Sequence, residues 1–188
     1  MTGGGSGIGR AIALLFAEEG ARVIVNDVKR EAAEKTVEAM GGARGRAIQA
    51  DVADSAQVRA MFAEVERESG GLDVLVNNAG IASQTPAEGE RLRQTGEARI
   101  GEMVSGQRIQ PHWDIPQAMS DETWHRMIGV HLNGTFFCTR EALRLMSARN
   151  GGSIINMSSV AALMGLESVP HYSAAKGGIL AFTRAVAR

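Results

Sequence analysis

Thr2-Gly-Gly-Gly-Ser-Gly-Ile-Gly9 opens the chain and runs directly into Arg10-Ala-Ile-Ala-Leu-Leu-Phe16. Ile8, Ile12, Leu15 and Phe16 recur at helical spacing and Gly20 is a natural stop, so the pattern predicts a helix from Ile8 to Glu19. Glycines just ahead of a helix permit a tight turn and let backbone N–H groups close on an anion at the partly positive helix start. A flexible linker has the same composition, so the neighbouring segments must decide between the two. Arg22-Val-Ile-Val-Asn26 is a short β-branched run of the kind buried in parallel sheets.

Outward from there the alternation continues. The pattern predicts a helix from about Arg30 to Met40, a strand from Arg46 to Ala50, a helix from Ser55 to Glu68 and a strand from Leu72 to Asn77. Strands and helices alternating at this length imply a parallel sheet covered by helices on both faces. From about Ala82 to Ala118 the rhythm breaks into a polar stretch holding Pro86, Pro111 and Pro116. This stretch reads as an insertion, either a lid with His112 and Trp113 as candidate contacts or a mobile surface segment. A long helix is then predicted from Ser120 to about Ala148, a strand from Ser153 to Met157, and a helix from Tyr172 to Arg188. The whole, residues 1–188, reads as one domain.

Asp27 follows the second element eighteen residues after Gly9, where a carboxylate can accept hydrogen bonds from a ribose diol and repel a 2′-phosphate. That favours NAD as the bound nucleotide. Lys29 and Arg30 keep NADP open, and an ordinary turn aspartate is the alternative. Gly3, Gly5, Ser6, Gly7, Ile8 and Gly9 are the candidate cofactor-binding positions of the glycine segment.

Tyr172 is the only tyrosine of the chain, and Lys176 is one of three lysines, the others being Lys29 and Lys35. At i and i+4 on a helix the two side chains share a face. A free phenol is a poor base at neutral pH, and a nearby ammonium favours its ionised form. Such a pair can take a proton from an alcohol or give one to a carbonyl. Ser159 lies just past the strand at Ser153–Met157, at the edge where parallel sheets place their sites, and can hold the reacting oxygen.

Composition narrows the classes. Twenty basic and 21 acidic residues leave a formal charge of −1, which excludes a strongly basic nucleic-acid surface. No stretch approaches the roughly 18 apolar residues of a membrane span. The single cysteine, Cys138, fits a reducing cytoplasmic setting. His112, His125, His131 and His171 have no metal-ligand spacing, so no metal is expected.

Thr2-Gly-x-x-x-Gly7-Ile-Gly9, Asp51-Val52, Asn77-Asn-Ala-Gly80, Ser159 and Tyr172-x-x-x-Lys176 together resemble the signature set of the short-chain dehydrogenase/reductase family, nearest to its 3-oxoacyl-carrier-protein-reductase-like branch. The resemblance implies a doubly wound, Rossmann-like α/β fold and an oxidoreductase exchanging hydride between NAD(P) and an alcohol or ketone. It implies adenine contacts from Asp51 and Val52, and a ribose floor from Asn78, Ala79 and Gly80. Tyr172 becomes the acid/base and, with Lys176, a cofactor-binding residue; Ser159 becomes the substrate holder, and Lys176 the partner of both the phenol and the nicotinamide ribose. It also implies a homodimer or homotetramer.

Departures from the pattern set further expectations. His131 stands where the family has an asparagine, either as a relay group or as a packed histidine; Asn133, two residues on, should point away. The chain reads as truncated at both ends, with the sheet's first strand and its C-terminal strands missing and two interior edges bare. A cofactor-binding protein without turnover is the competing class, and Tyr172→Phe separates the two.

Overall fold

The computed structural model describes residues 1–42, 45–82, 86–110, 114–149 and 151–187. Helix α1 (Gly7–Glu18) leads into strand β1 (Val23–Asp27), α2 (Arg30–Ala39), β2 (Gly45–Gln49), α3 (Ser55–Ser69) and β3 (Val74–Asn77). Then come α4 (Pro86–Val104), the short α5 (Ile115–Ala118), α6 (Asp121–Ile128), a π-helical turn (Gly129–Asn133) and α7 (Gly134–Ser147). Strand β4 (Ser153–Asn156), the single turn α8 (Ala161–Met164) and α9 (Pro170–Val186) complete the order.

All strand pairing is parallel. β1 lies on β2 with Val23 opposite Gly45 and Asp27 opposite Gln49. β3 lies on β4 with Val74 opposite Ser153 and Asn77 opposite Asn156. Residues 1–4 join the two pairs. The Met1 amine donates to the Ile24 carbonyl (3.0 Å), the Asn26 N–H donates to the Met1 carbonyl (2.9 Å), and the Gly4 N–H donates to the Asn26 carbonyl (2.9 Å). On the other side the Thr2 N–H donates to the Val76 carbonyl at 3.0 Å.

This overturns the expectation of a sheet without its first strand and with C-terminal strands missing. The opening residues sit between β1 and β3, with three backbone bonds to β1 and one to β3, while the C-terminal part of the chain extends the sheet with β4. The expectation failed because a two-to-four-residue strand of glycines and a threonine has no apolar alternation to detect. Its pairing is made by backbone groups, which every residue carries.

The strands alternate their side chains between two cores, as the period of two requires. Val23 and Val25 pack with Ala13, Ala17 and Ala33 beneath α1 and α2. Ile24 and Ile48 point the other way, onto Val58, Met61, Phe62 and Val65 of α3 and Cys138, Ala142 and Met146 of α7. Helices on both faces of a parallel sheet make the doubly wound α/β arrangement. Asp54 caps α3 by accepting from the Ala56 and Gln57 N–H groups, and Ser120 caps α6 by accepting from Thr123.

The segment read as a polar insertion is largely helical. Arg93 bonds Glu90 and Glu97 at i−3 and i+4, the spacing that supports an isolated helical surface, and Arg91 pairs with Asp114. His112 and Trp113 lie outside the described residues. Among the described residues, no helix is long and apolar enough to cross a membrane.

Candidate functional site

Because every strand runs the same way, the segments after β1, β2, β3 and β4 and the glycine segment before α1 all emerge at one edge of the sheet. That edge gathers the predicted positions. The glycine segment is held there by a latch. The Thr2 hydroxyl accepts from the Asn78 and Ala79 N–H groups (both 3.1 Å), and the Asn78 amide donates to the Thr2 and Gly3 carbonyls (3.1 and 3.2 Å). Gly9 packs so closely on this latch that a Cβ there would strike the Gly3 carbonyl oxygen and the Asn78 amide nitrogen.

Above the latch, Ser6, Gly7 and Ile8 are exposed. Ser6 stands at the N-cap of α1 without a side-chain cap bond, and no acidic residue occupies the first turn. The first amides of α1 are thus presented to an incoming anion rather than to a side chain. Asp27 sits beside them, half-buried. One carboxylate oxygen accepts from the Gly5 N–H (3.1 Å) and the other from the Lys29 N–H (3.0 Å). Lys29 and Arg30 are exposed, and Arg30 lies 3.8 Å from Glu34.

Asp51 accepts from the Ala53 N–H at 2.9 Å and remains partly exposed. Val52 is buried against Gly134 at the start of α7, so its side chain belongs to the core.

The acid/base candidates cluster on α9 and the π-turn. Lys176 is 5% exposed; its ammonium donates to the Met157 carbonyl at 2.5 Å and lies 5.6 Å from the centre of the Tyr172 ring. Burial pulls its pKa below the ordinary lysine value. His131 is 3% exposed and meets Tyr172 edge to face, ring centres 5.4 Å apart at 88°. Its Nε2 lies 3.1 Å from the Ile81 nitrogen and 3.2 Å from the Ile81 carbonyl oxygen, the tautomer setting which it bonds, and its Nδ1 has no hydrogen-bond partner among the described residues. A Cβ on Gly80 would lie 2.5 Å from the imidazole Cε1, so glycine makes room for this ring. Burial first, then the positive charge of Lys176, push the His131 pKa down to about 4. At neutral pH the imidazole is therefore uncharged. Asn133, on the same π-turn, is exposed.

Ser159 sits in the segment after β4, and its hydroxyl accepts from the Ala161 N–H at 3.2 Å. The structure thus brings His131, Tyr172 and Lys176 into one group with Gly80, and sets Ser159 at the start of the turn that α9 packs against. Sequence reasoning missed the positioning groups Thr2, Ile81 and Met157. The last two act through backbone atoms, which carry no sequence signal. It also missed a polar network beneath the site. Asn77 donates to Asn156 (2.8 Å) and Thr139 (3.0 Å), and Asn156 donates to Thr183 (2.9 Å), tying β3 and β4 to α7 and α9. Asparagines at the ends of two strands were the available clue.

The family model described as short chain dehydrogenase matches residues 1–104 and 110–188. The chain is 37% identical over 191 residues to a 3β-hydroxysteroid dehydrogenase of Mediterraneibacter gnavus, covering all of this chain and 58% of that protein. It is 36% identical over 191 residues to a 3-oxoacyl-[acyl-carrier-protein] reductase of Staphylococcus aureus, covering all of this chain and 66% of that protein. The crystal structure of a proposed short-chain alcohol dehydrogenase from Sinorhizobium meliloti superposes with a TM-score of 0.78 at 30% identity, over 99% of this chain and 63% of that one. The chain spans about three fifths to two thirds of the length of these relatives. The match itself runs from residue 1 to residue 188. Together with the paired opening residues, it overturns the expectation of a sheet without its first strand.

Proposed function

We infer that this chain, which belongs to the short-chain dehydrogenase family, interconverts an alcohol and a ketone using a nicotinamide nucleotide, with Tyr172 as the acid/base. The observation that carries the reading is the grouping of Tyr172, buried Lys176 and neutral His131 at the edge of the sheet beside the uncapped start of α1. Relatives named as a dehydrogenase and a reductase support the same reaction class.

The residues present fit such a nucleotide. The exposed amides of Ser6, Gly7 and Ile8 suit a pyrophosphate, with Gly3, Gly5 and Gly9 shaping the approach. Asp27 suits an adenosine ribose, which favours NAD; exposed Lys29 and Arg30 are the groups that would accommodate NADP. Asp51, with Val52 beneath it, would border the adenine, and Asn78, Ala79 and Gly80 the ribose floor. The nucleotide, when bound, supplies the two-electron partner that accepts or returns the carbinol hydrogen as hydride.

The chain's own groups handle the oxygen and its proton. Ser159 donates to the reacting oxygen and orients it. The Tyr172 phenol oxygen receives the hydroxyl proton in oxidation and returns it in reduction. Lys176, fixed by the Met157 carbonyl, places a positive charge beside the phenol and toward the nucleotide ribose. His131 holds Ile81 through Nε2 and flanks the Tyr172 ring, leaving Nδ1 as the free position for a relay. Self-association into a dimer or tetramer through α7 and α9 belongs to the same reading, supported by Phe136 and Leu143, which are half-exposed on α7. A cytoplasmic setting is supported by the single cysteine.

Tyr172→Phe is the test. General acid–base catalysis contributes on the order of 10²–10⁴-fold, so ketone-dependent oxidation of NADH should fall by that factor. The affinity for NADH, followed by nicotinamide fluorescence, should stay nearly unchanged, because most of the nucleotide's contacts lie elsewhere on this edge. Undiminished turnover in the variant would remove Tyr172 from the mechanism. Nucleotide binding without turnover in the unaltered chain would favour the cofactor-binding alternative.

A further inference from the structure

Immediately after Ser159 the chain reads Val160-Ala-Ala-Leu-Met-Gly-Leu166, seven residues without a polar side chain. The turn α8 leaves the larger of them in solvent: Val160 is 61% exposed, Leu163 74% and Met164 73%. Single exposed apolar residues are ordinary, but a contiguous group beside a reacting centre marks a surface that meets something apolar. The Ser159 hydroxyl accepts from the first amide of α8, so the oxygen-holding group and this apolar turn form one local unit. α8 packs in turn on α9, which carries Tyr172.

A second apolar strip stands nearby. Ile100, Met103 and Val104 lie at i, i+3 and i+4 on α4 and are 59%, 64% and 80% exposed. The ion pair between Arg99 and Glu167 (2.8 Å) sets this end of α4 beside the turn joining α8 to α9. Met103 comes one helical turn after Arg99, about 6 Å along the axis. Arg99 and Glu167 pair with each other here, and Glu102, between Ile100 and Met103, accepts from the Gln110 N–H at 2.6 Å.

We propose that α8 and the end of α4 are the two walls receiving the carbon skeleton of the substrate, and that the substrate class is an uncharged, hydrocarbon-rich secondary alcohol or its ketone. This rests on the reading of Ser159 and Tyr172 as the reacting centre. Continuity with Ser159 selects substrate as the occupant over a second copy of the chain. The lack of a polar side chain from Val160 to Leu166 disfavours polyols and charged hydroxy acids, whose polar groups would lose water there without replacement.

The test is a series of 2-alkanones from butanone to octanone, measured with saturating nucleotide. Burying one methylene is worth about a fourfold change in affinity, so kcat/KM should climb by about that factor per added carbon. The double variant Leu163→Ser/Met164→Ser should flatten the climb to below twofold per carbon. Leu15→Ser, on the outer face of α1, should leave it unchanged. Since all these side chains are exposed, thermal unfolding should report intact folds. In parallel, displacement of the neutral fluorophore N-phenyl-1-naphthylamine by the same ketones reads affinity without turnover. A climb that is absent, or that survives the double variant, overturns the proposal, as does preference for a polyol or a hydroxy acid. A methylene-dependent affinity lost in the double variant, with no turnover of any ketone, would sustain the apolar walls and sink the acid/base reading of Tyr172 instead.

Discussion

The glycine segment and the Tyr172 cluster share one edge of the sheet but are held in opposite ways. Residues 2–9 are fixed by neutral backbone and amide hydrogen bonds among Thr2, Gly3, Asn78 and Ala79. The cluster around Tyr172 is fixed by burying two ionisable side chains, Lys176 and His131, each with its charged form disfavoured. The latch of Thr2, Gly3, Asn78 and Ala79 contains no ionisable side chain and is intolerant of added volume. The second tolerates small changes of shape and responds to protons. A scaffold that binds a nucleotide needs the former; a site that moves a proton needs the latter.

Acid should separate the two regions most clearly. His131 has a folded pKa of about 4, below its ordinary value of about 6.5. Its neutral form is the native one, so the stability this supplies is present above pH 6.5 and is lost as pH falls toward 4. Integrated over that window the loss is about 3 kcal/mol. Lys176, Tyr172 and His171 face the imidazole, and Lys176 and His171 add to the depression. Asp54, whose pKa is lowered by its hydrogen bonds from Gln57 and Ala56, titrates below the ordinary carboxylate range and so falls outside the window. Urea unfolding from pH 7 to pH 4 should show the loss in the unaltered chain and a shallower slope in His131→Asn. Equal slopes would mean that the imidazole is not held neutral by its surroundings.

Volume should separate them in the other direction. Gly9→Ala places a Cβ against the Gly3 carbonyl and the Asn78 amide, both parts of the latch. Overpacking of this kind costs about 1–3 kcal/mol, and here it should emerge as a lowered midpoint of thermal unfolding together with about tenfold weaker NADH binding. Normal affinity in this variant would show that the latch yields without disturbing the start of α1.

The smallest effect belongs to the surface strap. Arg99→Gln breaks the pair with Glu167, whose side chain is 70% exposed. Exposed pairs contribute about 0–1 kcal/mol, so the unfolding midpoint should hardly move. A loss larger than about 1 kcal/mol would place Arg99 within the fold's support rather than at its rim.

Much of this was readable along the chain because it is local. Tyr172 and Lys176 share a face because α9 repeats every 3.6 residues, and no distant contact is needed to say so. Arg93 with Glu90 and Glu97 has helical spacing too, but three glycines and Pro86 in α4 hid it among polar residues, and the stretch read as an insertion. His131 was legible as an unusual choice at its position. Its neutrality was not, because that comes from contacts with Ile81, Tyr172 and Lys176, fifty and more residues away or on another element.

By itself, the sequence determined the alternation of strands and helices, the glycine approach to α1, the carboxylate after β1 and the Tyr172–Lys176 spacing. Each depends on periodicity or on the conformational freedom of single residues, and both are properties of a short stretch of chain. Only the tertiary structure decided that residues 1–4 bridge β1 and β3, that the Met157 carbonyl holds Lys176, that Gly80 yields space to His131, and that Arg99 of α4 meets Glu167 in the turn after α8. Those are backbone pairings, burial and packing between segments far apart in the chain, where no local pattern records which atoms will meet.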